Sequence, residues 1–126
     1  MRYFIGYHNE QKMGYSCADI STPRLKTKKS VEGLEGSTVW LISGEGKTPK
    51  KYYVALTFNI EECATGKYPG TKLPNEVSGL GIMMGKSTLI NGSQLLSQLK
   101  LLSANFVSGF CELRDPSVIA SLKAFE

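Results

Sequence analysis

Residues 37–61, STVWLISGEGKTPKKYYVALTFNIE, constrain the fold most, because they read as two long strands joined by a short polar loop. Ser37 to Ser43 is rich in β-formers and ends at Gly44. In Tyr52 to Ile60, strict alternation puts Tyr52, Val54, Leu56, Phe58 and Ile60 on one face and Tyr53, Ala55, Thr57 and Asn59 on the other. The first face is apolar throughout and predicts a buried sheet. The connection GEGKTPKK supplies Gly44, Gly46 and Pro49 for turning and Lys47, Lys50 and Lys51 as charge. A buried hairpin with a cationic tip fits a small β-domain that meets an anion.

The flanking chain extends that pattern. Arg2 to Tyr7 reads as a first strand, and Arg24 to Lys29 as a short strand or a loop. Ser30 to Leu34 reads as a short helical turn capped by Ser30. Cys63 to Glu76, dense in Gly, Pro, Lys and Asn, is an excursion long enough to be functional or mobile. Val77 to Gly85 reads as a weak, glycine-rich strand. Leu95, Leu96, Leu99 and Leu102 give one face of a helix within Asn91 to Ser103, capped by Ser93 or Asn91. Phe106 to Leu113 returns as a strand. Asp115 and Pro116 then open a helix whose apolar side is Val118, Ile119, Leu122 and Phe125. The order is α+β rather than βαβ. The predicted architecture is a small curved or closed β-barrel with two or three flanking helices, and a mixed open sheet is the second expectation.

Charge is distributed unevenly. From Arg24 to Lys51 seven basic residues (Arg24, Lys26, Lys28, Lys29, Lys47, Lys50, Lys51) face three acids, an excess of four that equals the whole formal net charge of +4. A basic stripe on a folded domain is the footprint expected of phosphate binding, although a solvated lysine-rich surface has the same composition. Tyr3, Phe4, Tyr7, Tyr15, Trp40, Tyr52, Tyr53 and Phe58 interleave with these lysines. Rings that stack on bases beside cations that pair with phosphates are what single-stranded or flipped-base recognition requires. Phe4, Trp40 and Phe58 are the rings most suited to a core, and Tyr7, Tyr15 and Tyr53 those most suited to exposure.

Catalytic motifs are weaker. Gly85, Lys86 and Ser87 match the end of a phosphate loop, but position 80, where the motif needs glycine, is Leu80. Gly44, Gly46 and Lys47 lack the third glycine of a dinucleotide fingerprint. His8 is the only histidine, so a metal site or a nucleophile–base pair would rest wholly on it. A polar strand-end residue bonded to backbone is the simpler reading. Cys17, Cys63 and Cys111 have no metal-type spacing, which suits a reducing compartment. No apolar run approaches a membrane span, and Tyr3 to Tyr7 is too short for a signal peptide. The expectation is one soluble, cytoplasmic domain over residues 1–126, needing no cofactor or metal and touching no membrane.

In YFIGYHNEQKMG, VWLISGEGKTPKKYYVALTF and GFCELRDPSVIASL the chain resembles the domains that precede HNH-type nuclease domains in bacterial modification-dependent restriction systems. More distantly it is similar to the PUA, EVE and SRA superfamily. The resemblance implies a PUA-like barrel that reads a modified or flipped base in DNA, more than RNA, as the specificity module of a defence system. It leaves nuclease chemistry to a fused or partner HNH domain, and this chain would then be a standalone reader or a piece of a longer nuclease. Local chemistry, not a motif match, nominates the residues. Tyr7, His8, Asn9, Lys12, Tyr15 and Trp40 form the expected base pocket, with His8 and Asn9 on a base edge and Tyr15 or Trp40 stacking. Arg24, Lys26, Lys28, Lys29, Lys47, Lys50 and Lys51 hold phosphates, and no residue is catalytic. Two other classes remain open: a protein-interaction domain with an exposed apolar patch, and a small nucleotide- or RNA-processing enzyme using His8.

Overall fold

A computed structural model describes residues 2–9, 23–46, 50–83, 89–104, 106 and 109–125, with the backbone alone at Asn9 and Met83. Eight strands and two helices are described: β1 (Tyr3–Asn9), β2 (Arg24–Thr27), β3 (Thr38–Glu45), β4 (Lys51–Asn59), β5 (Glu62–Ala64), β6 (Asn75–Ser78), β7 (Gly81–Met83), α1 (Gln94–Leu102), β8 (Phe110–Leu113) and α2 (Pro116–Lys123). The expected central hairpin is present as antiparallel β3 and β4. The fold is α+β and dominated by strands.

The strands make two sheets. The larger has the order β7-β4-β3-β1-β8 and the smaller β2-β6-β5. β1 lies parallel to β3, with Tyr3 opposite Thr38 and Asn9 opposite Gly44, and every other pairing is antiparallel. Parallel neighbours require a crossover. Here it includes β2, a strand of the other sheet. The sheets do not close on one another, so the closed barrel gives way to an open mixed sheet with a second sheet on one face.

β3 is buried from Thr38 to Gly44 because it is covered on both faces. Val39 and Leu41 point to a core shared with Phe4, Leu25, Val31, Leu34, Leu56, Phe58 and Val77, beneath the small sheet. Trp40 and Ile42 point the other way, to Ile5, Val54, Leu95, Leu99, Val118 and Leu122, beneath the helices. The molecule is therefore three-layered: small sheet, large sheet, helices.

That layering changes the reading of β4. Leu41 pairs with Leu56 but Ile42 pairs with Val54, so Ala55 is an extra residue in β4. Such a bulge reverses the alternation. Leu56, Phe58 and Ile60 serve the small-sheet core, whereas Tyr52 and Val54 face the helices. The single apolar face expected from Tyr52 to Ile60 is thus divided between two cores.

Other departures are local. Residues 30–34 form turns rather than a helical turn, because Gly33 and Gly36 take φ of +74° and +88°, left-handed values incompatible with continuing a helix. Arg24 to Thr27 is a strand. The excursion is the connection of a hairpin, since its ends pair as β5 and β6. In α1, capped by Ser93, Leu95, Leu96 and Leu99 are buried, while Leu102 is 44% exposed and leaves the expected face. The last strand starts at Phe110, because Phe106 has a φ of +64°. Asp115 caps α2 by accepting from the Ser117 amide, with Pro116 in its first turn, and Val118 and Leu122 are buried. The phosphate-loop segment around Lys86 and Ser87 lies outside the described residues.

An ion pair fastens the β1–β8 edge. Arg2 donates from Nε and Nη2 to the two carboxylate oxygens of Glu112 at 3.0 Å each, and Arg114 adds a 3.4 Å contact. Hydrogen bonding from Arg2 is the main cause that lowers the Glu112 pKa from 4.5 to about 2. A depressed carboxylate stabilises the fold above its unfolded pKa, and that contribution is lost as pH falls through the folded one. The stability difference between wild type and Glu112→Gln, measured by urea unfolding, should therefore shrink progressively as pH falls from 4.5 to about 2. A difference that stays constant over that range would refute the assignment.

Candidate nucleic-acid interface

β1 and β3 run parallel and end side by side, bringing Tyr7 beside Ile42 and Asn9 beside Gly44. Gly44 in turn pairs with Tyr52 of β4. Tyr7 and Tyr52, both partly buried, meet Phe106 on the helix side of the sheet. The Tyr7 and Phe106 rings stack at 4.5 Å with an 11° interplanar angle, and those of Tyr52 and Phe106 at 5.4 Å. Tyr7 and Tyr52 are 6.3 Å apart. Burial, with a smaller effect from Tyr52, pushes the Tyr7 hydroxyl pKa up to about 12, so the ring is neutral at physiological pH.

Backbone geometry holds this cluster. Phe106 takes left-handed φ, uncommon for a bulky residue, and its amide donates to Ser103 Oγ at 2.9 Å. Ser103 is fully buried and its hydroxyl donates to the Leu99 carbonyl, which locks the exit from α1. Asn91 bridges to β4, accepting from the Tyr52 amide at 2.7 Å and donating to the Lys50 carbonyl at 2.9 Å. Lys100 of α1 places its ammonium 4.8 Å from the Tyr52 ring centroid. Lys50 and Lys51 immediately precede that tyrosine. The result is an aromatic platform with one ammonium group, that of Lys100, over it; Lys51, next to Tyr52 along β4, is on the other face of that strand.

The expected pocket residues are only partly brought together. Tyr7 belongs to the platform. His8, the next residue in the strand, is on the opposite face with Phe4 and is 5% exposed. It cannot share a base with Tyr7 from that position. Trp40 is fully buried against Tyr3, whose ring is 5.7 Å away, so no face is open for stacking; its Nε1 has no hydrogen-bond partner among the described residues. The core reading of Phe4, Trp40 and Phe58 agrees with exposures of 4% or less. Asn9 lies at the register position opposite Gly44, and Lys12, Tyr15 and Lys47 lie outside the described residues.

The basic stripe also divides. Lys50 and Lys51 lie just before and at the start of β4 in the large sheet, whereas Arg24 and Lys26 are on β2 in the small sheet. Lys28 is exposed. Lys29 donates from Nζ to the Phe110 carbonyl at 2.5 Å, a bond that a phosphate would have to displace. Phe106, Tyr52 and Lys100 are the contributors that sequence reasoning leaves out of the site. Lys100 is 48 residues from Tyr52 in sequence, and nothing local connects them. Among the described residues no group of three or more His, Cys, Asp or Glu could hold a metal ion, and no helix is long and apolar enough to cross a membrane.

Comparison with known proteins finds no matching family model and no significant match among curated proteins.

Proposed function

We propose that this chain is a nucleic-acid-binding specificity module that reads a modified or flipped base, in DNA more than RNA, as part of a restriction system. In this reading the domain is PUA-like in descent, acts in the cytoplasm, and leaves cleavage to a separate HNH nuclease domain. The observation that carries the proposal is the Tyr7–Phe106–Tyr52 platform with Lys100 over Tyr52. Base stacking on an aromatic ring contributes about 1–3 kcal/mol, and the lysines supply the sequence-independent phosphate attraction.

The test is binding of the chain to short duplexes, unmodified or carrying methylated cytosine, hydroxymethylated cytosine or methylated adenine, at low and moderate salt. Preference for one modified duplex that persists as salt rises supports base reading. Equal and salt-sensitive binding to all reduces the function to phosphate attraction. Lys50→Ala with Lys51→Ala should weaken binding uniformly across sequences and flatten the log–log salt slope by about two units, near the value for two lost phosphate contacts. An unchanged slope removes both lysines from the interface.

A second reading, a protein-interaction domain, draws on β7, an edge strand where Ile82 is 59% exposed next to Leu80 at 74%. Absence of nucleic-acid binding at low salt favours it.

A further inference from the structure

Residues 65–74 fold back over the outer face of the small sheet. Cys63, Val77 and Leu25 point inward to the core, so the intervening Glu76 and Lys26, paired in register, point outward beneath this connection. Glu76 is 3% exposed there and anchors the fold-back, accepting from Lys67 Nζ at 2.6 Å and from the Tyr68 hydroxyl at 3.0 Å. Burial opposes its ionisation, but the bonds from Lys67 and Tyr68 and the charges of Lys67 and Arg24 outweigh that and hold its pKa below the ordinary carboxylate value. Asn75 closes the base of the connection by accepting from the Gly66 amide and donating to the Lys29 carbonyl.

The fold-back leaves a cleft of about 250 Å³ lined by Lys26, Tyr68, Thr71, Lys72 and Leu73. None of these five residues is acidic. The buried carboxylate of Glu76 is already committed to Lys67 and Tyr68, while the Lys26 ammonium sits 4.2 Å from the Tyr68 ring centroid. A cation held over a ring by a fixed tyrosine is oriented before any ligand arrives, which lowers the ordering cost of binding. The cleft is smaller than the roughly 300–1,000 Å³ typical of pockets for drug-sized ligands. Its surface is mostly apolar, from the Tyr68 ring, Leu73 and the lysine stems, so it suits the sugar or base of a phosphate ester with the phosphate at its rim.

We propose that this cleft is a phosphate-binding site, with Lys26 and Lys72 as its cations and the Tyr68 ring as its wall. It belongs to the small sheet, on the other side of the large sheet from the aromatic platform, and does not depend on that platform's role. The phosphate can come from a free phosphate monoester or from the backbone of a nucleic-acid strand.

The test is amide NMR on the full chain titrated with inorganic phosphate, a nucleoside 5′-monophosphate and a single-stranded oligonucleotide, against sodium chloride at matched ionic strength. Saturable shifts at residues 26, 68 and 70–73 are expected with phosphate. Lys26→Ala and Lys72→Ala should each weaken that binding about fivefold, the effect of about 1 kcal/mol for a partly exposed ion pair. Lys72 is exposed, so its variant reports on the site even if loss of Lys26 disturbs Tyr68. Tighter binding of the strand, displaced by inorganic phosphate, identifies the source as a nucleic-acid backbone; tighter binding of the monophosphate identifies a free phosphate ester. Shifts that match chloride, or that neither variant weakens, overturn the proposal. Failure of the base-reading function appears separately, as absence of oligonucleotide-induced shifts at Tyr7 and Tyr52.

Discussion

Gly79→Ala is expected to destabilise the fold by about 3 kcal/mol, the upper end of the usual cost of forcing extra atoms into a packed site. Gly79 joins β6 of the small sheet to β7 of the large one. A Cβ there would overlap the Asn59 carbonyl oxygen and lie 2.9 Å from its carbon and 3.1 Å from the Glu61 nitrogen. These are backbone atoms, and no rotamer change can move them aside. Three bonds hold the chain together at this point: Gly79 N to Pro23 O at 3.2 Å, Asn59 N to Leu80 O at 3.1 Å and Glu61 N to Ser78 O at 2.9 Å. Relief of the overlap must break at least one of them. Gly109→Ala is the control, because among the described residues nothing lies within 4 Å of where its methyl group would sit, and its φ is not left-handed. Urea unfolding of both variants should give a large loss for Gly79→Ala and almost none for Gly109→Ala. Similar losses in the two would show that the passage between the sheets is not rigid.

The same crossing explains which parts of the architecture can be read from the chain. Strands with strong β composition, the first strand read from Arg2 to Tyr7 and the β3–β4 hairpin, announce themselves because aromatic and β-branched residues fill them. The helix starts at Ser93 and Asp115 are equally legible, since capping is a local interaction. Sheet closure is not local. Whether β7 and β8 meet depends on the pairing of residues far apart in sequence, and the Ala55 bulge that turns β4 from one core to the other leaves no signature in an unbroken alternating segment. The site divides along the same line. Tyr7 is legible as an aromatic at a strand end, but Phe106 reaches it through a left-handed φ at a non-glycine residue. His8 and Tyr7 suggest a shared pocket because adjacency in sequence resembles adjacency in space. Along a strand it places them on opposite faces. Tyr68 and Lys72 lie in a segment marked by its length and its Gly, Pro and Lys content, so the place of the cleft is legible while its partner on β2 is not.

Gly44→Ala should dismantle the aromatic platform while leaving most of the fold in place. A Cβ at residue 44 would overlap the Tyr7 hydroxyl and lie 2.9 Å from Cζ and 3.1 Å from Cε1. Here the obstacle is a side chain, so the ring can swing, but only by leaving its 4.5 Å stack on Phe106. Once displaced, Tyr7 gains water, and the burial that holds its pKa at about 12 is removed. Its titration should therefore move down towards the ordinary 10.0, read as tyrosinate absorbance against the wild type. Affinity for the preferred oligonucleotide should fall about 5- to 150-fold, the range for losing one stacking contact of about 1–3 kcal/mol. The salt slope should remain, because Lys50, Lys51 and Lys100 are untouched. Loss of affinity with an unchanged slope separates stacking from charge at this site. An unshifted tyrosinate titration would mean that Tyr7 is not held against Gly44, whereas a shifted titration with unchanged affinity would locate base recognition elsewhere on the domain.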